Sequence, residues 1–428
     1  VAVASMSADL LARLDGYAGP GKIQRLLFVA DKSPDHRDAA LRQVVQELLA
    51  TSNTSLYVDV LEKQFPQACE AAGITRDVAW VETVDKKAQQ TLDRLEHELN
   101  GHKTALAKEQ IRVCHNEMGD FHAERGDFGA ALKSYVRARD YCTTTSHVVT
   151  MCVNVVRVSV LMGNYAHVLN YITKAEQTPD VEDPPAMAKL RACSGLAHLE
   201  SKKYKAAARK FVEVGHEVVM PEVMLPRDIA IYGGLCALAA FDRADMRAHV
   251  IESHAFRTML DLVPDLREAI ESFHAARYAA CLQRLDQLRP VLEMDIHLFD
   301  HVHALYDDVR SRALVNYFSP YSSVDMTRMA QAFAVDVPAL EKDLVTLITD
   351  GTIKARIDSH NKVLYAETAD QRTATFRQAV KMGHEYSAEC RALLLRINLL
   401  RNDLMVKRGE DAPQAPAGGH RRMTAGAN

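Results

Sequence analysis

The sequence predicts a mainly α-helical chain: a right-handed, tetratricopeptide-like solenoid, then a winged helix with a small β-hairpin, then one long C-terminal helix. Three observations carry this. A turn-aromatic-alanine phrase recurs in the central third, a helix-turn-helix pattern followed by two alternating runs occupies about residues 316–367, and a heptad-like apolar seam runs from Phe376 to Leu404.

Composition sets the frame. At 428 residues the chain holds about three domains' worth of sequence or one extended repeat array, and its 48% apolar and 25% charged residues are ordinary for a folded protein. Lys plus Arg number 52 against 56 Asp plus Glu, a net charge of −4 with no basic block, which disfavours a polyanionic partner. Only 19 Gly and 14 Pro are present, too few for the turn clusters of a sandwich or barrel. The apolar stretch Ile229 to Phe241 falls short of the ~20 residues that span a bilayer, so no membrane partner is expected. Val1 to Asp9 lack the basic and apolar regions of a secretory signal, and the start on Val1 reads as a fragment or processed form. Eight scattered cysteines without a C-x-x-C pair read as reduced thiols of a cytosolic or nuclear protein.

Taken in order, residues 1–100 form an N-terminal helical segment and 101–200 carry repeats. Gly126-Asp127-Phe128-Gly129-Ala130-Ala131-Leu132 is echoed by Gly163-Asn164-Tyr165-Ala166-His167-Val168-Leu169 and by Lys203-Tyr204-Lys205-Ala206-Ala207. The aromatics Phe128, Tyr165 and Tyr204 lie 37 and 39 residues apart, and Arg277-Tyr278-Ala279-Ala280 resumes the phrase. A Gly or Asn turn joining antiparallel helices, an aromatic at the elbow and small residues for close packing make one repeat, and stacking covers the faces each pair leaves bare. The acidic, proline-bearing stretch Thr178 to Pro185 reads as a surface loop, and the phrase is degraded near Phe241-Asp242-Arg243.

Helical repeats continue over 201–315, and the winged helix follows over 316–367. Met326, Met329, Ala330 and Phe333 share one helical face, and Leu340, Leu344, Leu347 and Ile348 share a second that Asp350-Gly351 ends. Ile353 to Ile357 and Lys362 to Ala366 alternate with period two around the turn Asp358-Ser359-His360-Asn361. Residues 368–408 form the final helix and 409–428 a disordered tail. Its seam, Phe376, Val380, Gly383, Tyr386, Cys390, Leu393, Ile397, Leu400 and Leu404, is apolar except at Gly383, and Leu394, Leu395 and Leu399 widen it. Such a stripe needs cover, from the chain's own winged helix or solenoid or from helices of other chains.

Catalytic patterns fail on inspection. Gly16, Gly21 and Lys22 have the spacing of a phosphate-binding loop, but Ile23 stands where a Mg²⁺-binding hydroxyl is required and no strand precedes. His301-Val302-His303 with Ser311 resembles the zinc isopeptidase motif, yet Leu314 holds the place of its aspartate ligand. The two histidines would lie about 200° apart on a helix, so they do not converge on one ion. No catalytic residue, metal ligand or cofactor is assigned. In the winged helix, Glu341, Lys342, Asp343 and Asp350 give the would-be recognition helix a charge of −2. Lys354, Arg356 and Lys362 on the wing support only weak phosphate contact. A nucleic-acid adaptor is therefore the disfavoured reading, and an exposed strand edge suits pairing with another protein's strand.

The order solenoid, winged helix, long helix resembles the PCI-domain family, whose members build the proteasome lid, the COP-nine signalosome and eukaryotic initiation factor three. Tyr317-Phe318-Ser319-Pro320-Tyr321, Met326 to Phe333, Ala355-Arg356-Ile357-Asp358-Ser359-His360 and Gln371-Arg372 resemble the subunit-one family of the signalosome. Lys22-Ile23-Gln24-Arg25-Leu26 and Phe28-Val29-Ala30-Asp31 extend the likeness to about residues 10–408. The paralogous proteasome-lid family shares the architecture and is the alternative. The resemblance sets the PCI domain at 201–367. It implies a non-catalytic scaffold, found in nucleus and cytoplasm, of the complex that removes the ubiquitin-like modifier from cullins, with the isopeptidase in another subunit. Expected partners are other PCI subunits, isopeptidase-containing subunits reached through a helical bundle, and cullin-RING ligases met by the outward-projecting solenoid. By the same resemblance Ile353, Ala355, Ile357, Val363 and Tyr365 form a sheet edge for a neighbouring winged helix. Phe376, Val380, Tyr386, Leu393, Ile397, Leu400 and Leu404 enter the bundle.

Overall fold

Helix formation begins where Gly19 and Pro20 start α1 (Gly19–Lys32), whose residues Ile23, Leu26, Val29 and Ala30 form one buried stripe at helical spacing. The computed structural model describes residues 12–178, 184–215, 220–366, 371–402 and 404. The acidic loop expected around residues 179–183 and the tail expected over 409–428 lie outside the described residues. The chain divides into two units, Val1–Tyr365 and Ala366–Asn428.

In the first unit, α1 packs on α2 (Arg37–Thr51), and α3 (Thr54–Asp59) and α4 (Pro66–Ala71) close a local core around Leu41, Val44, Leu48, Tyr57 and Val60. The long α5 (Val78–Thr104), capped by the Asp77 carboxylate on the Trp80 amide, leads into the repeats. These are α6 (Lys108–Glu124) with α7 (Phe128–Ala138), α8 (Thr145–Leu161) with α9 (Tyr165–Glu176), and α10 (Pro184–Glu200) with α11 (Tyr204–Val212). Next come α12 (Pro226–Ala240), a π-helical turn at Met246–Ile251, α13 (His254–Leu260), α14 (Pro264–His274), α15 (Tyr278–Leu292) and α16 (Val302–Phe318).

The repeated phrase has one backbone solution. Gly126, Gly163, Lys202 and Ala276 all take positive φ, at 79°, 70°, 58° and 59°, and end the first helix of their pair. The following amide reaches back in each case, Asp127 to His122, Asn164 to Ser159, Lys203 to His198 and Arg277 to Ser272. Asp127 and Asn164 then cap the second helix through Ala130 and His167. Close packing needs glycine at equivalent places: a Cβ on Gly119 would meet the Tyr135 ring at 2.4 Å, and one on Gly195 the Phe211 ring at 2.7 Å. A further turn of the same kind, with Leu106 at φ 52° and Ala107 bonded back to His102, joins α5 to α6. Sequence reading missed it because no Gly, Asn or aromatic marks it.

The winged helix comprises β1 (Ser323–Asp325), α17 (Met326–Phe333), α18 (Val337–Thr349), β2 (Ala355–Asp358) and β3 (Val363–Ala366). The expected faces are buried: Met326, Met329, Ala330 and Phe333 on α17, and Leu340, Leu344 and Leu347 on α18. The sheet has three strands in the order β1-β3-β2, with β1 antiparallel to β3 in the register Ser323 to Tyr365, Val324 to Leu364 and Asp325 to Val363. An aromatic joint of Tyr278, Tyr317 and Phe333 ties this module to α15 and α16. An Arg310–Asp343 ion pair at 2.6 Å adds to it. The second unit holds α19 (Gln371–Arg401), a 31-residue helix, ~46 Å long at 1.5 Å per residue.

Candidate functional site

The seam predicted for α19 is open to solvent. Phe376 is 69% exposed, Tyr386 70%, and Val380, Leu393, Ile397 and Leu400 are exposed as well, as are the flanking Leu394, Leu395 and Leu399, whereas Leu404, also exposed, lies past Arg401 where the helix ends, short of the expected seam. Among the described residues its unit contains no other element to cover them. A 3.5-residue seam on a 3.6-residue helix drifts by about 20° per heptad, so partners that follow it wind left-handedly. The helix carries six Lys and Arg against two Glu, a net +4, and Lys381 pairs with Glu385 along it at 3.9 Å.

The sheet corrects one expectation. Val363 and Tyr365 belong to β3, which pairs on both sides and is therefore the central strand, not a rim. The missed strand is β1, whose three residues are too few to show alternation. The outer strands are β1 and β2. On β2, Ala355 is buried and Ile357 half-buried, while Ile353 lies before the strand, buried, with its amide on the Leu347 carbonyl. Of the predicted set, Tyr365 alone is clearly exposed, at 48%.

On the wing, Lys362 is spent on Glu341 at 3.1 Å, and Ser359 also donates to that carboxylate. The hydroxyl and the ammonium together hold the Glu341 carboxyl below its usual range. The acidic α18 and the loss of Lys362 to an internal partner weaken a phosphate-binding reading further.

No catalytic constellation forms from the residues that resembled one. His301 is buried, with Nε2 3.5 Å from Glu200 and Nδ1 3.4 Å from the Tyr204 hydroxyl, while exposed His303 meets the Arg289 guanidinium at 2.6 Å. The two rings have separate partners on different elements. Gly21 is glycine because a Cβ there would fall 1.7 Å from the Glu222 carbonyl oxygen, and Lys22 pairs with Glu47 at 2.8 Å. Among the described residues, one trio brings three potential ligand atoms within 4.8 Å: Glu98, Cys114 and Glu117. Burial, then the carboxylates of Glu117 and Glu98, push the Cys114 thiol up, away from the thiolate that binds metal.

What sequence reading missed is the clasp that pins the first helix. Arg25, 4% exposed, binds Asp295 at 3.0 Å and the Val223 carbonyl at 3.0 Å, with its guanidinium 4.3 Å from the Tyr17 ring centre. Tyr17 donates to Asp228 at 2.5 Å, and Tyr232 donates to Asp295 at 2.8 Å. Burial holds the Asp228 carboxyl above its usual range, and Arg25 holds Asp295 below it despite burial. Gln24 reaches the Leu161 carbonyl, and Phe28 packs edge-on against Phe299 at 5.5 Å. The N-terminal helix is thus built into the repeat array, and half of the exposed large apolar side chains among the described residues lie on α19.

Comparison with known proteins agrees with this architecture. Residues 77–249 match the family described as 26S proteasome subunit RPN7, and residues 285–368 match the PCI domain. The COP9 signalosome complex subunit 1 of Arabidopsis thaliana is 50% identical over 400 residues, covering 92% of this chain and 90% of that protein. The chain belongs to the COP9 signalosome subunit 1 family. Subunit 1b of Drosophila melanogaster is 39% identical, covering 95% of this chain and 88% of that protein. Subunit 1 of Emericella nidulans is 32% identical over 94% and 84%. These relatives, matched over most of their length, favour the signalosome family over the proteasome-lid alternative.

Proposed function

We propose that the chain is a non-catalytic scaffold subunit of the COP9 signalosome and that it supports cullin deneddylation performed by an isopeptidase in another subunit. The observation that carries this is the uncovered seam of α19, six apolar side chains from Phe376 to Leu400 on one helix with no cover among the described residues of its own unit. Burying one such side chain contributes roughly 1.5–3 kcal/mol, so a bundle of several helices is the favourable destination. The +4 charge of α19 favours sibling helices with acidic flanks. The outer strand β2, through Ala355 and Ile357, offers main-chain groups to a neighbouring PCI subunit, and the repeat array meets cullin-RING ligases. Residence in both nucleus and cytoplasm goes with that role.

The test is co-expression with sibling subunits of a chain carrying Leu393→Glu, Ile397→Glu and Leu400→Glu. The expected result is loss of co-purification with an unchanged melting profile of the array. Normal incorporation sinks the reading. Zinc analysis and an isopeptidase assay on the isolated chain, both expected at background, test the non-catalytic role.

A further inference from the structure

Between α12, α14 and α15 lies a cavity of about 130 Å³ walled by Ile231, Leu235, Leu266 and Leu292. An apolar cavity of roughly 150 Å³ holds a benzene ring, whereas drug-sized ligands need roughly 300 Å³ or more. The volume therefore suits a single branched or aryl side chain, the dimension of an anchor pocket in a protein interface. Leu262, also in its lining, is 55% exposed. The wall from Leu262 to Leu266 falls in residues 250–284, between the two family matches.

The lining also carries charge. The unmatched group is Arg227, since the one carboxylate of the lining, Asp265, sits in the first turn of α14 where helix amides favour it. Arg227 Nε is buried without a hydrogen-bond partner, and its Nη2 makes one long bond, 3.4 Å, to the Arg13 carbonyl. No carboxylate pairs with Arg227 among the described residues. A buried, unpaired guanidinium nitrogen beside an apolar pocket calls for an anionic acceptor next to an apolar anchor.

We propose that this pocket docks a peptide segment of a partner protein that places one leucine-sized side chain in the cavity and a neighbouring carboxylate on Arg227. The docking is independent of the α19 seam and of the assembly role.

The experiment uses the full chain with labelled Ile, Leu and Val methyl groups, titrated with an acetylated, amidated hexapeptide that bears one leucine flanked by aspartates in a Ser/Gly background. Saturable shifts confined to the methyls of Ile231, Leu235, Leu262 and their neighbours are expected. Affinity should fall about tenfold or more with Arg227→Gln, be partly restored by Arg227→Lys, and weaken as salt rises. Leu262→Ala, a surface change, should weaken binding without altering the fold. The proposal is overturned by an absence of shifts at millimolar peptide, by equal binding of the peptide with asparagine in place of aspartate, or by unchanged affinity in Arg227→Gln.

Discussion

The rings of Tyr278 and Phe333 lie parallel, 1° apart in plane with centroids 5.3 Å from each other, and Tyr317 meets Phe333 edge-on at 5.6 Å. Tyr278 is the elbow aromatic of the last repeat, so the residue that closes the array is also the one on which the winged helix rests. Repeat chemistry and module docking share one side chain.

Removing the joint should loosen the winged helix. Phe333→Ala is expected to cost about 3–5 kcal/mol, as for other buried aromatics, and to expose the link between α16 and β1 to protease. Limited proteolysis that cuts variant and parent at the same rate would show that the joint is held by other contacts.

The clasp should behave as a buried ion pair. Arg25→Met alone leaves Asp295 without its cation and is expected to cost about 3–5 kcal/mol in urea unfolding. Arg25→Met with Asp295→Leu should cost clearly less than the sum of the two single changes. Additive effects would argue that the 3.0 Å contact carries no coupling.

Acid should weaken the clasp through His297, whose amide donates to Asp295 at 2.9 Å and whose ring meets Tyr232 edge-on. Burial, then the charge of Arg25, pushes its imidazole down to about 4 from the usual 6.5, with Asp295 and Glu200 pulling the other way. Between these values the unfolded chain binds a proton that the folded chain refuses. Stability is therefore fully present above pH ~6.5 and lost as pH falls toward ~4, by on the order of 3 kcal/mol for this group. Asp295, held low, adds a loss at still lower pH, whereas Asp228, held high, imposes a penalty near neutrality that acid relieves. Comparison with His297→Gln isolates the imidazole: the difference between the two stability curves should slope between pH 4 and 6.5 and be flat above.

Non-glycine turns should accept glycine with profit. Leu106 has φ 52° and is 82% exposed, so Leu106→Gly removes strain and little packing. Left-handed backbone costs a non-glycine residue about 1–2 kcal/mol, against about 0.5–1 kcal/mol of entropy that glycine loses on folding. A rise in Tm of about 1–2 °C is expected by calorimetry, and a fall would mean that the Leu106 side chain makes contacts of its own.

The repeats were legible where turn chemistry is written in residue types, as in Gly126-Asp127-Phe128 and Gly163-Asn164-Tyr165. The Leu106 turn adopts the same backbone without those residues and was not. The α19 seam was legible because a heptad is a local pattern. The central position of β3 was not, since it depends on β1, a strand of three residues that pairs from 40 positions away. Arg25 was noticed only within a family-like phrase, because nothing local announces a partner at Asp295.

Arg25 and Asp295 are 270 residues apart. A ribosome adding roughly 5–20 residues per second takes about 14–54 s to deliver the second after the first. Throughout that interval the nascent chain can seat α1 and Tyr17 on Leu161, Val223 and Asp228 but leaves the Arg25 guanidinium without its carboxylate and Phe28 without Phe299, so the clasp is completed only when residues 295–299 have been made.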